Sequence, residues 1–250
     1  MMTRLTPEQW QGFYQLESSQ YDERRYQTAY GRTFTRLHHE AIAGLLEDVP
    51  RDARVVELAC GTGHVTVLLQ RLGFATTACD LTLEMMARAR ARCTGREPAP
   101  EFVRANAFSL PFADASIDVL VTTRFLHLFP HQTQARVFAE LQRVLRPGGL
   151  LVVDFDNNGA RWLMAAPHFL YNLIRYRRSA PDTHYNNVGA TTKMLNDTGF
   201  AIEKVVGIAG THLLPLTWVS EPLATAVGRW HRHAPLRIAA EQFVIAARRQ

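Results

Sequence analysis

The stretch Val55 to Thr66, V-V-E-L-A-C-G-T-G-H-V-T, constrains this chain more than any other. Its first half is an apolar run with β-branched residues, the pattern of a short buried strand. Gly61 and Gly63 then permit a sharp turn and a close backbone approach that side chains would block. Apolar residues resume at Val65, Val67, Leu68 and Leu69, as a helix leaving that turn requires. Strand, glycine turn and helix form a nucleotide-binding cradle of the doubly wound α/β type. Asp80 follows at the end of a second predicted strand, Ala75 to Cys79, where a carboxylate can accept both hydroxyls of a ribose. NAD and other adenosine cofactors fit this pair of features. A dinucleotide fingerprint favours Gly or Ala at its third glycine position, and Thr66 stands there, which counts against NAD.

Three further blocks narrow the choice. They are F-V-R-A-N-A-F-S-L-P-F from Phe102 to Phe112, I-D-V-L-V from Ile117 to Val121, and L-R-P-G-G-L from Leu145 to Leu150. Taken with E-L-A-C-G-T-G and C-D-L, this series resembles the class I S-adenosylmethionine-dependent methyltransferases in motif order and spacing. The similarity covers roughly Arg54 to Asp154, and the N-A-x-x-L-P-F block looks most like the quinone-type and related small-molecule branch. It implies a Rossmann-like, seven-stranded fold, mostly parallel with an antiparallel last strand, and helical cap insertions.

The resemblance also implies roles. Gly61 and Gly63, with Ala59 ahead of them, would approach the methionine moiety of S-adenosylmethionine, and Glu57 would support the turn. Asp80 would hold the ribose and Leu81 flank the adenine. Asn106 would accept from the adenine amino group, Ala107 would offer its backbone N–H to the ring, and Arg124 follows the fourth strand at the methionine end. The segment before the first strand often closes over the cofactor in this family, which makes Tyr26 and Tyr30, with Arg25, lid candidates. Residues 1–50 are therefore expected as a helical lid, and 51–250 as the methyltransferase domain with cap insertions near 157–190 and 211–240.

Composition sets the wider limits. At 250 residues and 47% apolar, the chain can bury the core of one α/β domain. Cys60, Cys79 and Cys93 form no C-x-x-C pair and read as reduced thiols of a cytoplasmic protein. No signal peptide and no apolar run of membrane-spanning length is evident. The net charge of +5 rests mostly on arginine, which suits scattered surface charge, an acidic substrate or an anionic membrane surface. No basic-aromatic groove points to nucleic acid. Oligomeric state is not encoded in any recognisable pattern.

Methyl transfer from a sulfonium is a direct displacement that needs an aligned nucleophile in a dry pocket. Positioning alone contributes roughly 7–11 kcal/mol in well-oriented systems, so the lack of a catalytic triad excludes nothing. His127 and Asp154 are the catalytic candidates, because both lie just beyond sheet strands; a buried or capping histidine is the plainer account of His127. The run D-F-D-N-N at Asp154 to Asn158 suits a strand-end turn better than a magnesium site, and no metal is expected. His184, Tyr185, His212, His231 and His233 fall in the caps and match no metal motif. The primary expectation is a methyltransferase acting on a small organic acceptor at oxygen or nitrogen. The alternatives are a lipid or quinone methyltransferase at the membrane surface, motivated by Arg175, Arg177, Arg178 and the tryptophans of the second insertion, and a non-catalytic cofactor-binding scaffold.

Overall fold

The apolar runs read as strands pair into a single sheet whose edge carries the glycine turn. The computed structural model describes Gly12 and residues 21–157, 187–208, 213–232 and 240–250. Helices α1 (Tyr21–Tyr26) and α2 (Ala29–Leu45) lead into β1 (Val55–Leu58), α3 (His64–Arg71), β2 (Thr76–Asp80), α4 (Leu83–Cys93) and β3 (Glu101–Arg104). β4 (Ile117–Thr122), a short 3₁₀ turn at Leu126–Leu128, α5 (His131–Val144) and β5 (Leu145–Asp156) follow. The described C-terminal half holds α6 (Val188–Asp197), β6 (Phe200–Ile208), α7 (Leu214–Val219), α8 (Glu221–Arg229) and β7 (Gln242–Arg249). Strand order is β3-β2-β1-β4-β5-β7-β6. β7 runs antiparallel to both β5 and β6, and the remaining described pairings are parallel. This is the seven-stranded Rossmann-like arrangement that the motif series implies.

The central strands are apolar on both faces because helices cover both. On one face, Leu151, Val153 and Phe155 of β5 and Phe243 and Ile245 of β7 meet Val137, Phe138, Leu141 and Val144 of α5. On the other, Leu150, Val152, Val244 and Ala246 meet Phe34, Leu37, Ala41 and Ile42 of α2. Each of these Val, Leu, Ile and Phe side chains contributes about 1.5–3 kcal/mol when fully buried. Helix α2 starts where the Thr28 hydroxyl accepts from the Gly31 N–H at 3.0 Å. Its inner face makes it part of the core layer, whereas no residue of α1 belongs to that cluster.

One strand is longer than its sequence suggests. The run Leu150 to Val153 predicts a four-residue fifth strand, yet β5 begins at Leu145, which pairs with Ile117 before the register shifts and Leu150 pairs with Val119. Pro147, Gly148 and Gly149 stop α5 as expected, but they sit inside an irregular pairing instead of a free loop. The first cap insertion lies outside the described residues from 158 to 186. In the second, α7 and α8 pack on α2. No helix among the described residues is long and apolar enough to cross a membrane.

Candidate functional site

At the carboxyl end of β1 the chain turns through three left-handed residues, Ala59 (φ 60°), Gly61 (φ 53°) and Gly63 (φ 85°). Two carboxylates brace this turn. Asp80, at the end of β2, accepts from the Gly61 N–H and the Thr82 N–H, both at 2.8 Å. Glu57, wholly buried, accepts from the Thr66 hydroxyl at 2.6 Å. Burial pushes the Glu57 carboxyl up to about 8, against the Thr66 hydrogen bond and with Asp80 adding to the rise. Thr66 thus stands at the third fingerprint position because its hydroxyl satisfies a buried acid. A Cβ on Gly63 would lie 2.8 Å from Ala89 Cα, so glycine there lets α4 close on the turn; a Cβ on Gly61 would meet nothing within 4 Å. The turn therefore faces open space on the side where a ligand would approach.

That space continues into a cavity of about 60 Å³ bounded by Tyr26, His38, His39, Gly61, His64 and Arg124. Tyr26 stacks on His64 with centroids 3.5 Å apart and planes 19° apart. The Arg124 guanidinium lies 5.2 Å from the Tyr26 centroid on its other flank. α1 is clasped to the turn through Asp22, which accepts from the Thr62 hydroxyl (2.6 Å), pairs with His64 Nε2 (3.1 Å) and binds the Arg92 guanidinium. Burial opposes the Asp22 charge, but the His64 and Thr62 hydrogen bonds and Arg92 outweigh it and hold the carboxyl below its ordinary value.

Arg124 also adopts a left-handed backbone (φ 55°). Its N–H donates to Asp154 Oδ1 at 2.6 Å, and Asp154 Oδ2 pairs with His38 Nε2 at 2.8 Å. One buried carboxylate at the end of β5 therefore fixes the turn after β4 and the inner face of α2. Burial works against the Arg124 charge; Tyr26, Tyr21, Asp154 and Asp156 favour it and raise its pKa. His39 is driven down to about 3, chiefly by burial, and His64 is also lowered by burial despite Asp22. Both imidazoles are neutral near pH 7.

The structure brings Tyr26, Glu57, Ala59, Gly61 and Arg124 to this cavity, with Gly63 and Asp80 shaping its turn. It does not bring Tyr30, whose hydroxyl donates to Glu241 at 3.2 Å. Leu81, Asn106 and Ala107 lie further along the same sheet edge, after β2 and β3; the exposed Asn106 accepts from the Phe108 N–H at 3.0 Å. His127 is buried in the 3₁₀ turn and is not among the residues that line the cavity, and burial lowers its pKa. Asp154 spends both oxygens on His38 and Arg124. Asp156 accepts from Gln242 at 2.6 Å, and Asn157 donates to the Ala240 carbonyl at 2.8 Å, so the D-F-D-N run is tied to β7 and the residues before it. Sequence reasoning missed Asp22, His38, His39, Thr62 and His64. Only Thr62 and His64 carried a signal, as neighbours of the glycines. His184, Tyr185, His212 and His233 lie outside the described residues.

Fold and site together define a Rossmann-like domain of the class I methyltransferase type. A family model described as a methyltransferase domain matches residues 56–153, and that segment is a methyltransferase domain. Among similar proteins, phthiotriol/phenolphthiotriol dimycocerosates methyltransferase 1 of Mycobacterium ulcerans is 34% identical over 59% of this chain and 51% of its own length. Demethylmenaquinone methyltransferase of Thermus thermophilus is 33% identical over 47% of this chain and 53% of its own. The chain thus spans about half the length of these relatives. Magnesium protoporphyrin IX methyltransferase of Synechocystis, solved with bound S-adenosylhomocysteine, shares the fold over 96% of this chain and 98% of its own, with a TM-score of 0.69 and 13% identity.

Proposed function

We propose that this protein binds S-adenosylmethionine at the glycine turn and transfers its methyl group to a small organic acceptor. The observation that carries this reading is the Gly61 turn, held by Asp80 and open on the side facing the cavity. The residues present fit the group. Asp80, held by the Gly61, Leu81 and Thr82 N–H groups and the Thr82 hydroxyl, stands at the end of β2 where ribose hydroxyls would lie. The partly buried Arg124 guanidinium offers a cation to the carboxylate of the methionine end. Leu81, Asn106 and Ala107 line the continuation of the edge where the adenine would lie.

When bound, the cofactor supplies an electrophilic methyl on a sulfonium. The chain's own residues orient and dry the site. Neutral His39 and His64 add no positive charge beside a sulfonium. The Cys60 thiol, in the turn itself, is held protonated because burial raises its pKa well above the ordinary value, which spares it from alkylation. Drug-sized ligands occupy roughly 300 Å³ or more, so a cavity of about 60 Å³ admits one end of the cofactor only after α1 swings away. α1 is thus the lid, and its Tyr26–His64 stack excludes water on closure. Asp154 and His38 act through Arg124 as positioning groups. The relatives named for dimycocerosates and demethylmenaquinone support a second reading, a long-chain or ring acceptor of lipid character.

Calorimetric titration with S-adenosylhomocysteine and with NAD tests the cofactor. Binding of the former alone is expected, followed by methyl transfer in an acceptor screen; binding of NAD alone, or of neither, overturns the reading.

A further inference from the structure

Exposed large apolar side chains cluster on one segment outside the cofactor site. Trp218 is 79% exposed, Val219 82%, Leu223 49% and Trp230 67%. Leu223 and Ala226 of α8 and Trp230, just past its end, are exposed and recur at intervals of three and four, while Ala224, Thr225 and Gly228 face inward. Trp218 and Val219 at the end of α7 adjoin Pro222 and Arg36 in a shallow surface groove. The patch is flanked by Arg32, Arg36, Arg229 and Arg232, against two acids, Glu40 and Glu221. Four cations against two anions leave this rim positive, in a chain whose net charge is +5.

At about 150–250 Å² per aromatic side chain, the four exposed residues offer roughly 500 Å² of apolar surface, the size of patch that marks an interaction site. Short helices with indoles outward and arginines at the rim suit the water–lipid boundary, where tryptophan rings settle at headgroup level and cations meet anionic lipid.

We propose that the α7–α8 face docks this protein on an anionic lipid surface. This deepens the reading of a lipid-like acceptor and rests on it for purpose, while the docking itself needs neither cofactor nor acceptor.

The test is co-flotation of the purified chain, without cofactor, with vesicles of phosphatidylglycerol and phosphatidylcholine or of phosphatidylcholine alone. Recovery with the anionic vesicles is expected, falling as salt rises from about 0.1 M to about 1 M. The double substitution Trp218→Ala/Trp230→Ala should lower partitioning about tenfold or more. Affinity for S-adenosylhomocysteine, measured without vesicles, should stay unchanged, which separates failure of docking from failure of the cofactor reading. Both indoles are solvent-exposed, so the variant should keep the wild-type unfolding temperature. As a measurement on the unaltered chain, tryptophan emission should shift to shorter wavelength when anionic vesicles are added. Absence of flotation, equal flotation with neutral vesicles, or undiminished flotation of the variant overturns the proposal. A wild-type dimer in sedimentation that the variant abolishes assigns the face to a second copy and likewise overturns it.

Discussion

At Glu57 the enclosed side chain makes stability depend on pH with a sign that can be worked out. Its folded pKa of about 8 lies above the ordinary 4.5, so the folded chain keeps a proton that the unfolded chain releases. Stability is complete below about pH 4.5 and falls as pH rises through 8, by at most about 1.4 kcal/mol per unit. Glu57→Gln, which still accepts from Thr66, should flatten the melting temperature between pH 5 and 8, roughly the interval of that shift. A wild-type slope retained in the variant would assign the effect elsewhere. Ala59 is a second residue-scale case. A left-handed alanine costs about 1–2 kcal/mol, and glycine gives back about 0.4–1 kcal/mol through the unfolded chain. Ala59→Gly should therefore stabilise by about 0.5–1 kcal/mol in urea unfolding. At Asp154, Ala leaves His38 and the Arg124 N–H without their acceptor in a buried site. The expected loss is about 2–5 kcal/mol, with weakened S-adenosylhomocysteine binding; Asp154→Asn should recover part of both.

At the scale of elements, α1 lies outside the core clusters and is clasped by side-chain hydrogen bonds and an ion pair. Its clasp depends on Asp22, so Asp22→Ala should speed hydrogen exchange of the Tyr21–Tyr26 amides. It should also weaken S-adenosylhomocysteine binding about tenfold, or about 1.4 kcal/mol. Unchanged exchange and affinity would remove α1 from the binding step. The elements of the sheet were legible because their patterns are local: β1 and β4 are short β-branched runs, and Gly61 with Gly63 announces the turn between strand and helix. The clasp was not legible, because Asp22, Thr62 and Arg92 are 40 and 30 residues apart along the chain and meet only through tertiary packing. His38 hid for the same reason. It lies on the buried face of an amphipathic helix, where apolar spacing announces packing and says nothing of the carboxylate 116 residues away. Tyr30 looked equivalent to Tyr26 by position, yet it lies on α2, past the break at Gln27 and Thr28, and donates to Glu241.

For the whole molecule, the shared core of α2 and the sheet predicts how much of the N-terminal segment the fold can lose. Deleting residues 1–28 should leave one cooperative thermal transition, whereas deleting 1–46 strips Phe34, Leu37, Ala41, Ile42 and Leu46 from the sheet and should abolish it. Retained cooperativity in the longer deletion would show that α2 is dispensable. The placement of β7 between β5 and β6 has a consequence for biosynthesis. Among the described residues β6 pairs with β7 alone, and residues 242–249 leave the ribosome after residues 200–208. Until they do, the nascent chain presents β6 without a neighbour and β5 with one side open, a template for pairing with other chains. The sheet is therefore closed by insertion, β7 entering between two strands already made, and β5 and β6 stay exposed until residues 242–249 are released.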